Sequence, residues 1–586
     1  VLKGSSVFHT AALPWAYPLD ENRLRVVLRA ERGRVASGKA VYGDRYSPPT
    51  GLLSAPLLKT ASDQDYDYFE AELRLVPPRF RYAFLVNDGI RSLWLHEGGL
   101  STERPRQSFF QYPYINKADF FQAPRWLTEG VVYQVFPDRF AKGNPALDPP
   151  RVRPWSDESP TESALYGGDL EGILARLPYL RDLGITVLYL TPIFESPSNH
   201  KYNTTDYYRI DPSFGDGDTL RRLVQECHAA GIKVILDAVF NHCGQEFFAF
   251  RDVLRRGKES RYASWFHIDS FPVQTEPIPN YETFSTGIAS MPKLRTENPD
   301  VRRYLLDVAR YWIEACHIDG WRIDVANEVD HSFWREFRST VKAANPEAYI
   351  VGEIWHEGLP WLMGDQFDGI TNYPLREACL EFFARGNWDA QRFAEAIQRN
   401  LYIYAEPMLR ACWNLLGSHD TERFLTACAG RADRAALAAV FNLTWLGTPL
   451  IYYGDEIGME GENDPDCRRP MLWERERWDQ DLHRLYKKLI RLRTQEPALS
   501  RGRAAVLHAD AAQNTLAYMR SDHRSGKKAV LALNNSSAER LIDLKGKIAP
   551  GWLQGLHWQA LTGSGRFEQG PGRLILGPYA SLIGLG

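Results

Sequence analysis

An arginine and an aspartate stand two residues apart in Gly320-Trp321-Arg322-Ile323-Asp324-Val325-Ala326-Asn327-Glu328. If this run closes a β-strand, side chains two apart share a face, and the Arg322 guanidinium lies beside the Asp324 carboxyl. A neighbouring cation lowers a carboxyl's pKa. Asp324 is therefore expected to be ionised, the state in which a carboxylate acts as a nucleophile. Taken alone, an Arg-x-Asp pair is more often a structural ion pair. Three further segments end in residues able to do chemistry: Asp237-Ala238-Val239-Phe240-Asn241-His242, Gly352-Glu353-Ile354-Trp355-His356 and Gly417-Ser418-His419-Asp420. A fold that gathers these ends would bring Asp324, Glu353 and Asp420 together with Arg322, His242 and His419. Crowded carboxyls raise one another's pKa, a poor device for stability and a common one at functional sites.

The elements that must position these residues read as a (β/α)8 barrel. Continuous apolar runs alternate with helical patterns from Gly130 onward. Strands are expected at Gly130–Val135, Thr186–Leu190, Ile232–Asp237, Ile318–Ile323, Tyr349–Val351, Gln366–Gly369, Cys412–Leu416 and Pro449–Tyr452. Helices are expected at Leu170–Leu183, Thr219–Ala230, Val301–Cys316, His331–Ala343, Ala390–Leu401, Arg434–Trp445 and Leu482–Arg493. In such a barrel the catalytic groups lie at the C-terminal ends of the strands, where the four segments fall. The third crossover, about sixty residues from Asp237 to Val301, is far longer than a plain βα connection, and residues 243–299 read as a small inserted domain. Short alternating or β-branched runs (Leu24–Val26, Phe69–Leu73, Tyr82–Val86) make residues 1–121 a β-sandwich. The same pattern at Ala504–Leu507, Leu516–Met519 and Ala529–Leu533 makes residues 503–586 a second all-β domain. The barrel takes residues 122–502.

Composition narrows the partners. A chain of 586 residues with a net charge of −3 gives no reason to expect nucleic acid or an anionic membrane. No apolar run approaches a membrane span. The seven scattered cysteines have no C-x-x-C pair and suit a reducing compartment, hence a cytoplasmic protein. The 17 Trp, 28 Tyr and 28 Phe are compatible with sugar stacking and equally with large cores. The start, Val1-Leu2-Lys3-Gly4, has no signal-peptide pattern.

Together the four segments resemble, in order and position, the signature regions of the α-amylase family, glycoside hydrolase family 13. Met291-Pro292-Lys293-Leu294 resembles a fifth marker of that family. Asp324-Val325-Ala326-Asn327-Glu328 and the extra N-terminal β-domain are similar to those of the cyclomaltodextrinase, maltogenic amylase and neopullulanase subgroup. The resemblance spans the whole chain and implies a retaining glycosidase. Asp324 would be the nucleophile, Glu353 the general acid and then base, and Asp420 the transition-state stabiliser. Retention requires two carboxyls about 5–5.5 Å apart, one ionised and one protonated. Arg322 supplies the partner for Asp324, and the apolar neighbours Ile354 and Trp355 would desolvate Glu353.

By the same resemblance His242 and His419 donate to sugar hydroxyls, and Tyr202, in Asn199-His200-Lys201-Tyr202, stacks on the sugar being cleaved. Phe284 and Trp355 form acceptor-side walls or belong to the core. Asp464 and Arg468 hold donor-side sugars. Asn327, Glu328 and His356 complete the expected contacts, and Asp237 holds the barrel's centre. Calcium ligands in the family come from the loop after the first strand. Here that loop is Ala141-Lys142-Gly143-Asn144-Pro145-Ala146-Leu147-Asp148, with Lys142 and Leu147 where oxygen ligands are expected. Asn144, Asp148, Gly167 and Asp169 remain, short of the six to eight oxygens calcium takes, and a lysine ammonium there would take the cation's place. The site is expected to be weak or empty, and no cofactor is required. Arg295 and Asn203 are smaller departures from the subgroup pattern, which usually has Asn and Asp.

The expected activity is hydrolysis of α-1,4 links in cyclodextrins, maltooligosaccharides, and pullulan or starch, with some transglycosylation. A maltodextrin glucosidase releasing glucose is the enzymatic alternative. A non-catalytic sugar-binding relative is the other, disfavoured by the intact trio Asp324, Glu353 and Asp420. A homodimer formed through the N-terminal domain is implied by the subgroup. A monomer with a starch-binding β-domain is its alternative.

Overall fold

The computed structural model describes residues 2–48, 51–121, 123–548, 552–568 and 572–586. Eight parallel strands form one sheet: Val132–Val135, Val187–Leu190, Lys233–Ala238, Gly320–Ile323, Tyr349–Gly352, Gly369–Ile370, Trp413–Leu415 and Thr448–Tyr452. Each of the first five pairs with the next in sequence. The first also pairs with the eighth, and the eighth with the seventh. A parallel bridge from Thr371 to Trp413 joins the sixth strand's end to the seventh and closes the barrel. Every residue of these strands except Lys233 is buried, because helices cover one face and packed side chains fill the other. This is why the strands read as unbroken apolar runs. The register sets Asp237 beside Arg322 on neighbouring strands, and Arg322 beside Val351 on the next.

The helices are held by local chemistry that the sequence carries. Asp216 caps Gly217–Ala229 through the Thr219 N–H, and Gly231 follows at φ 78°. Asn298 caps Pro299–Cys316, and Asp330 caps His331–Ala344 through the Phe333 N–H. Two expectations fail. The single helix expected over Leu170–Leu183 is two, Leu170–Ala175 and Leu177–Leu183, broken at Arg176 where ψ is 4°. Pro178 has no N–H to continue the first helix, and it sits in the first turn of the second. The sixth strand is Gly369–Ile370 rather than Gln366–Gly369. Asp368 precedes the strand, its N–H bonding the Ile350 carbonyl at 2.8 Å, and its buried carboxylate is bound by Arg338, Lys342 and the Ile350 N–H.

Between the third strand and the helix Pro299–Cys316 the chain builds a cap over the barrel mouth. It contains the helix Phe248–Arg256 and a packed aromatic group, Phe250, Phe266 and Tyr281. A bridge between His242 and Lys293 ties it to the end of the third strand. Among the described residues the N-terminal region folds as sheets of five and six strands around a separate core that includes Leu24, Val26, Phe69, Tyr82 and Phe84. The C-terminal region forms sheets of five and three strands around Ala517, Val530, Leu574 and Leu582. The N-terminal strands run through Gln111 and the first barrel strand begins at Val132. Residue 122, where the barrel domain was expected to start, lies outside the described residues.

Candidate active site

The fourth strand ends at Ile323, and Asp324 follows it. Arg322 and Asp324 share a face as their spacing dictates, with Arg322 Nη1 2.9 Å from Asp324 Oδ1. The same nitrogen lies 3.0 Å from both Asp237 oxygens, and Arg322 Nη2 lies 2.9 Å from Glu353 Oε1. One guanidinium therefore serves three carboxyl groups from three adjacent strands. Val325 then turns the chain at φ 47°, a left-handed conformation that a β-branched residue adopts only under constraint. The turn points the Val325 N–H at Glu353 Oε2, 3.1 Å away. Backbone strain at this position thus helps hold Glu353 against Asp324.

The electrostatics differ from the expectation for the pair alone. Burial raises the Asp324 carboxyl well above the usual aspartate range. Arg322 opposes the rise, while Glu353 and Asp237 add to it. Asp237 is likewise raised by burial, to about 6, against the pull of Arg322 and the Tyr189 hydroxyl. Burial is the larger cause, and one cation shared by three carboxyls does not offset it. The titration belongs to the group rather than to one residue.

These groups open into a cavity of about 470 Å³ lined by His200, Tyr202, His242, Phe284, Met291, Asp324, Val325, Asn327, Glu353, Trp355, Asp420, Asp464 and Arg468. Asp420 closes its far side, held by Arg468 Nη2 at 3.0 Å, while Arg468 Nη1 binds Asp464 at 2.9 Å. Tyr202 stands at its base, its hydroxyl 2.6 Å from His419 Nε2 and 3.1 Å from Asp237 Oδ2. The His242 ring stacks on Phe284 at 4.9 Å and its Nε2 lies 3.1 Å from the Tyr202 carbonyl. Burial lowers His242 and His200 to about 3 and His419 well below its ordinary value, so all three rings are neutral. Trp355 is half exposed, stacks on Tyr373 at 3.9 Å and donates its indole N–H to Glu353 Oε1 at 3.1 Å. It gives Glu353 a hydrogen bond as well as an apolar neighbour.

Ten of the expected catalytic and contact residues line this cavity: Asp324, Glu353, Asp420, Tyr202, His242, Phe284, Asn327, Trp355, Asp464 and Arg468. Arg322 and His419 lie just behind the wall, 3 % and 1 % exposed, in contact with Asp324, Glu353, Tyr202 and Asp420. Two residues are not brought to the wall. Glu328 is exposed and paired with Lys293 at 3.2 Å. His356 is exposed, with Nδ1 2.9 Å from the Glu357 carbonyl. His200, Met291 and Val325 line the cavity without having been singled out. Each adjoins a motif that was read, so proximity in sequence was the available signal. Of the two departures from the subgroup pattern, Asn203 accepts hydroxyl hydrogens from Ser196 and Ser198, and Arg295 lies beside His267 and Glu297; neither is in the wall.

In the loop after the first strand most of the oxygens expected to bind calcium are already engaged. Asp169 spends both oxygens on backbone N–H groups, Oδ2 on Gly143 and Asn144 and Oδ1 on Gly172. Asn144 Oδ1 accepts from the Ala146 N–H at 3.1 Å. The Lys142 ammonium binds Asp148 Oδ2, and Gly167 folds over Asp148 at φ 76°. The Asp169 and Asn144 oxygens are thus taken by N–H donors and a lysine ammonium sits on Asp148 Oδ2, while Asp148 Oδ1 is buried without a partner. Among the described residues no other cluster of His, Cys, Asp and Glu is arranged to hold a metal ion.

Comparison with other proteins agrees with this geometry. The family model described as "Alpha amylase, catalytic domain" matches residues 134–502, and "Alpha amylase, N-terminal ig-like domain" matches residues 3–116. The chain is 50 % identical over 585 residues to neopullulanase 2 of Thermoactinomyces vulgaris, covering 99 % of this chain and 98 % of that one. It is 48 % identical to a cyclomaltodextrinase of Geobacillus thermopakistaniensis, covering 95 % of each. It is 43 % identical to an intracellular maltogenic amylase of Bacillus subtilis, covering 84 % of this chain and 85 % of that one. A solved cyclomaltodextrinase superposes with a TM-score of 0.93 at 40 % identity over 99 % of both chains. The chain belongs to the α-amylase family of glycoside hydrolases, in the subgroup of cyclomaltodextrinases, maltogenic amylases and neopullulanases.

Proposed function

We propose that this enzyme hydrolyses α-1,4-glucosidic bonds of cyclodextrins and maltooligosaccharides with retention of configuration, and acts on pullulan or starch in the same cavity. The observation that carries the reading is the pair of carboxyls, Asp324 and Glu353, held on the two ends of one guanidinium in the wall of an aromatic-lined cavity. In the first step Asp324 attacks the anomeric carbon as Glu353 passes its proton to the departing glycosidic oxygen. The bond to the leaving sugar breaks, and a glycosyl ester forms on Asp324. In the second step Glu353 takes a proton from water, which attacks the same carbon and frees Asp324. A sugar hydroxyl in place of water gives transglycosylation. Asp420, gripped by Arg468, accepts sugar hydroxyls, and Tyr202, Phe284 and Trp355 offer faces on which sugar rings stack. Asp324→Asn is expected to lower kcat on β-cyclodextrin by at least about 10^4-fold, as removal of a nucleophile does. Undiminished hydrolysis by that variant would overturn the assignment.

The reaction requires no cofactor in this reading, and the Lys142 ammonium stands where relatives would hold calcium. Added calcium is expected to leave the melting temperature unchanged, whereas Lys142→Asn combined with Leu147→Asn makes melting calcium-dependent. Stabilisation of the unmodified chain by calcium would contradict this. A homodimer through the N-terminal domain is supported by the large side chains that domain leaves exposed, among them Tyr46, Leu58, Val76 and Ile90. Light scattering before and after removal of residues 1–120 tests it, since a dimer that persists would place the interface elsewhere. Work in the cytoplasm is supported by the seven free, buried cysteines and by the relative named as intracellular.

A further inference from the structure

Gln134 lies on the first barrel strand, is 2 % exposed, and is absent from the cavity wall. Its amide Nε2 is 2.7 Å from His419 Nδ1, and its Oε1 has no hydrogen-bond partner among the described residues. A buried amide oxygen left unpaired is a cost that a protein normally avoids. The amide orientation is set by what the other side of the imidazole requires.

His419 Nε2 faces two oxygens, Tyr202 Oη at 2.6 Å and Asp420 Oδ2 at 3.1 Å. The Asp420 oxygen belongs to a carboxylate and accepts. The Tyr202 hydroxyl has its own acceptor in Asp237 Oδ2 at 3.1 Å, so it offers His419 a lone pair. Nε2 meets acceptors on both sides and must carry hydrogen. In a neutral imidazole that leaves a lone pair on Nδ1, which needs a donor. The Gln134 amide is the group within hydrogen-bond distance of it. Turning that amide over would pair Oε1 but leave the amide nitrogen without an acceptor and strip Nε2 of its hydrogen. It would place Nδ1–H against Oε1 and direct the Nε2 lone pair at the Asp420 carboxylate.

We propose that Gln134 is a positioning residue for the glycosidase reaction, fixing His419 in the tautomer that donates from Nε2. From there the hydrogen bonds run from His419 to Tyr202 and Asp420, and from Tyr202 through Asp237 to Arg322, which holds Asp324 and Glu353. Gln134 therefore sets the direction of a chain that touches every carboxyl of the site. The inference rests on the retaining-glycosidase reading.

Two substitutions separate positioning from packing. Gln134→Met keeps the volume and removes both the donor and the unpaired oxygen. Its melting temperature is expected to equal or exceed that of the unmodified enzyme, while kcat/KM on β-cyclodextrin falls roughly 100-fold, the scale of lost tautomer or ligand orientation. Gln134→Glu presents an acceptor to Nδ1, so the Nε2 donor survives only on an imidazolium. The charged and titratable groups facing that ring are Asp420, Arg468, Tyr202, Arg322, Glu353 and His200. None of them is altered by the substitution. Gln134→Glu is expected to exceed Gln134→Met in activity at acid pH and to lose that advantage as pH rises, giving a basic limb displaced to lower pH.

Unchanged kcat/KM in Gln134→Met, a loss matched by lowered melting, or a Gln134→Glu pH profile superimposable on the unmodified enzyme's would each overturn the proposal. An unmodified enzyme inert on cyclodextrin and maltotriose would instead overturn the reading beneath it.

Discussion

Two buried clusters of arginine and carboxylate side chains in this chain balance charge in opposite ways. At the barrel mouth Arg322 alone serves Asp237, Asp324 and Glu353. Where the N-terminal domain, the barrel and the C-terminal domain meet, three arginines face three glutamates. Arg25 binds Glu72 and Glu406 at 2.6 Å, Arg503 binds Glu70 at 2.7 Å and Glu406 at 2.8 Å, and Arg410 binds Glu406 at 2.5 Å. Burial works against the charged form of both Glu406 and Asp324. For Glu406 the guanidiniums of Arg410, Arg503 and Arg25 reverse that push and hold the carboxyl well below its usual range. For Asp324 the single shared guanidinium does not, and the carboxyl stays well above. A balanced network ties domains together. A cation-poor one keeps crowded carboxyls that burial raises, which suits chemistry and disfavours stability.

The largest test of this contrast is a pair of isosteric neutralisations. Glu406→Gln leaves Arg25 and Arg503 buried with a partner lost, and breaking such a network costs about 3–5 kcal/mol. Thermal and denaturant unfolding should show the loss, with activity per folded molecule retained. Asp324→Asn removes one of three competing negative charges. It should leave stability equal or raised by about 0.5–2 kcal/mol, the usual return for relaxing a functional site, while abolishing hydrolysis. Loss of stability in Asp324→Asn with none in Glu406→Gln would reverse the roles assigned to the two clusters.

The barrel was legible because a strand covered on both faces must be apolar throughout, as Ile232–Asp237 and Thr186–Leu190 are. The three carboxyls of the cavity were legible because each follows such a run. Local pairing was also readable: Arg322 and Asp324 face the same way because a strand repeats every two residues. What that spacing did not reveal is how many groups share the arginine. Asp237 and Glu353 lie 85 and 31 positions away in sequence and reach it only through the barrel's register. Asp324 is raised rather than acidic because burial outweighs the Arg322 guanidinium, and because Glu353 and Asp237 crowd the same cation, none of which local spacing shows. The junction network was invisible for the same cause: Arg503 and Glu70 lie 433 residues apart, and Arg25 and Glu406 lie 381 apart. Gln134 was read simply as part of an apolar strand, because one polar residue there gives no sign of facing a histidine 285 positions away. Glu328 and His356 are expected at the site by the resemblance alone, and the structure pairs them with Lys293 and the Glu357 carbonyl outside the cavity wall.

The two clusters also predict opposite pH dependences, smaller in size but distinct in sign. Glu406 is depressed on folding, so its contribution is present above the unfolded glutamate value near 4.5 and is lost as pH falls through its folded value. Asp237 is raised on folding from 3.8 to about 6, so its contribution is complete below pH 3.8 and declines as pH rises to about 6. Each is isolated by an amide that does not titrate. The stability of the unmodified enzyme relative to Asp237→Asn should fall between about pH 4 and pH 6 and level off above. Its advantage over Glu406→Gln should hold steady above pH 5 and shrink in stronger acid. Denaturant midpoints of the three proteins across this range measure both differences. Two curves sloping the same way would mean that the mouth, like the junction, is charge-balanced.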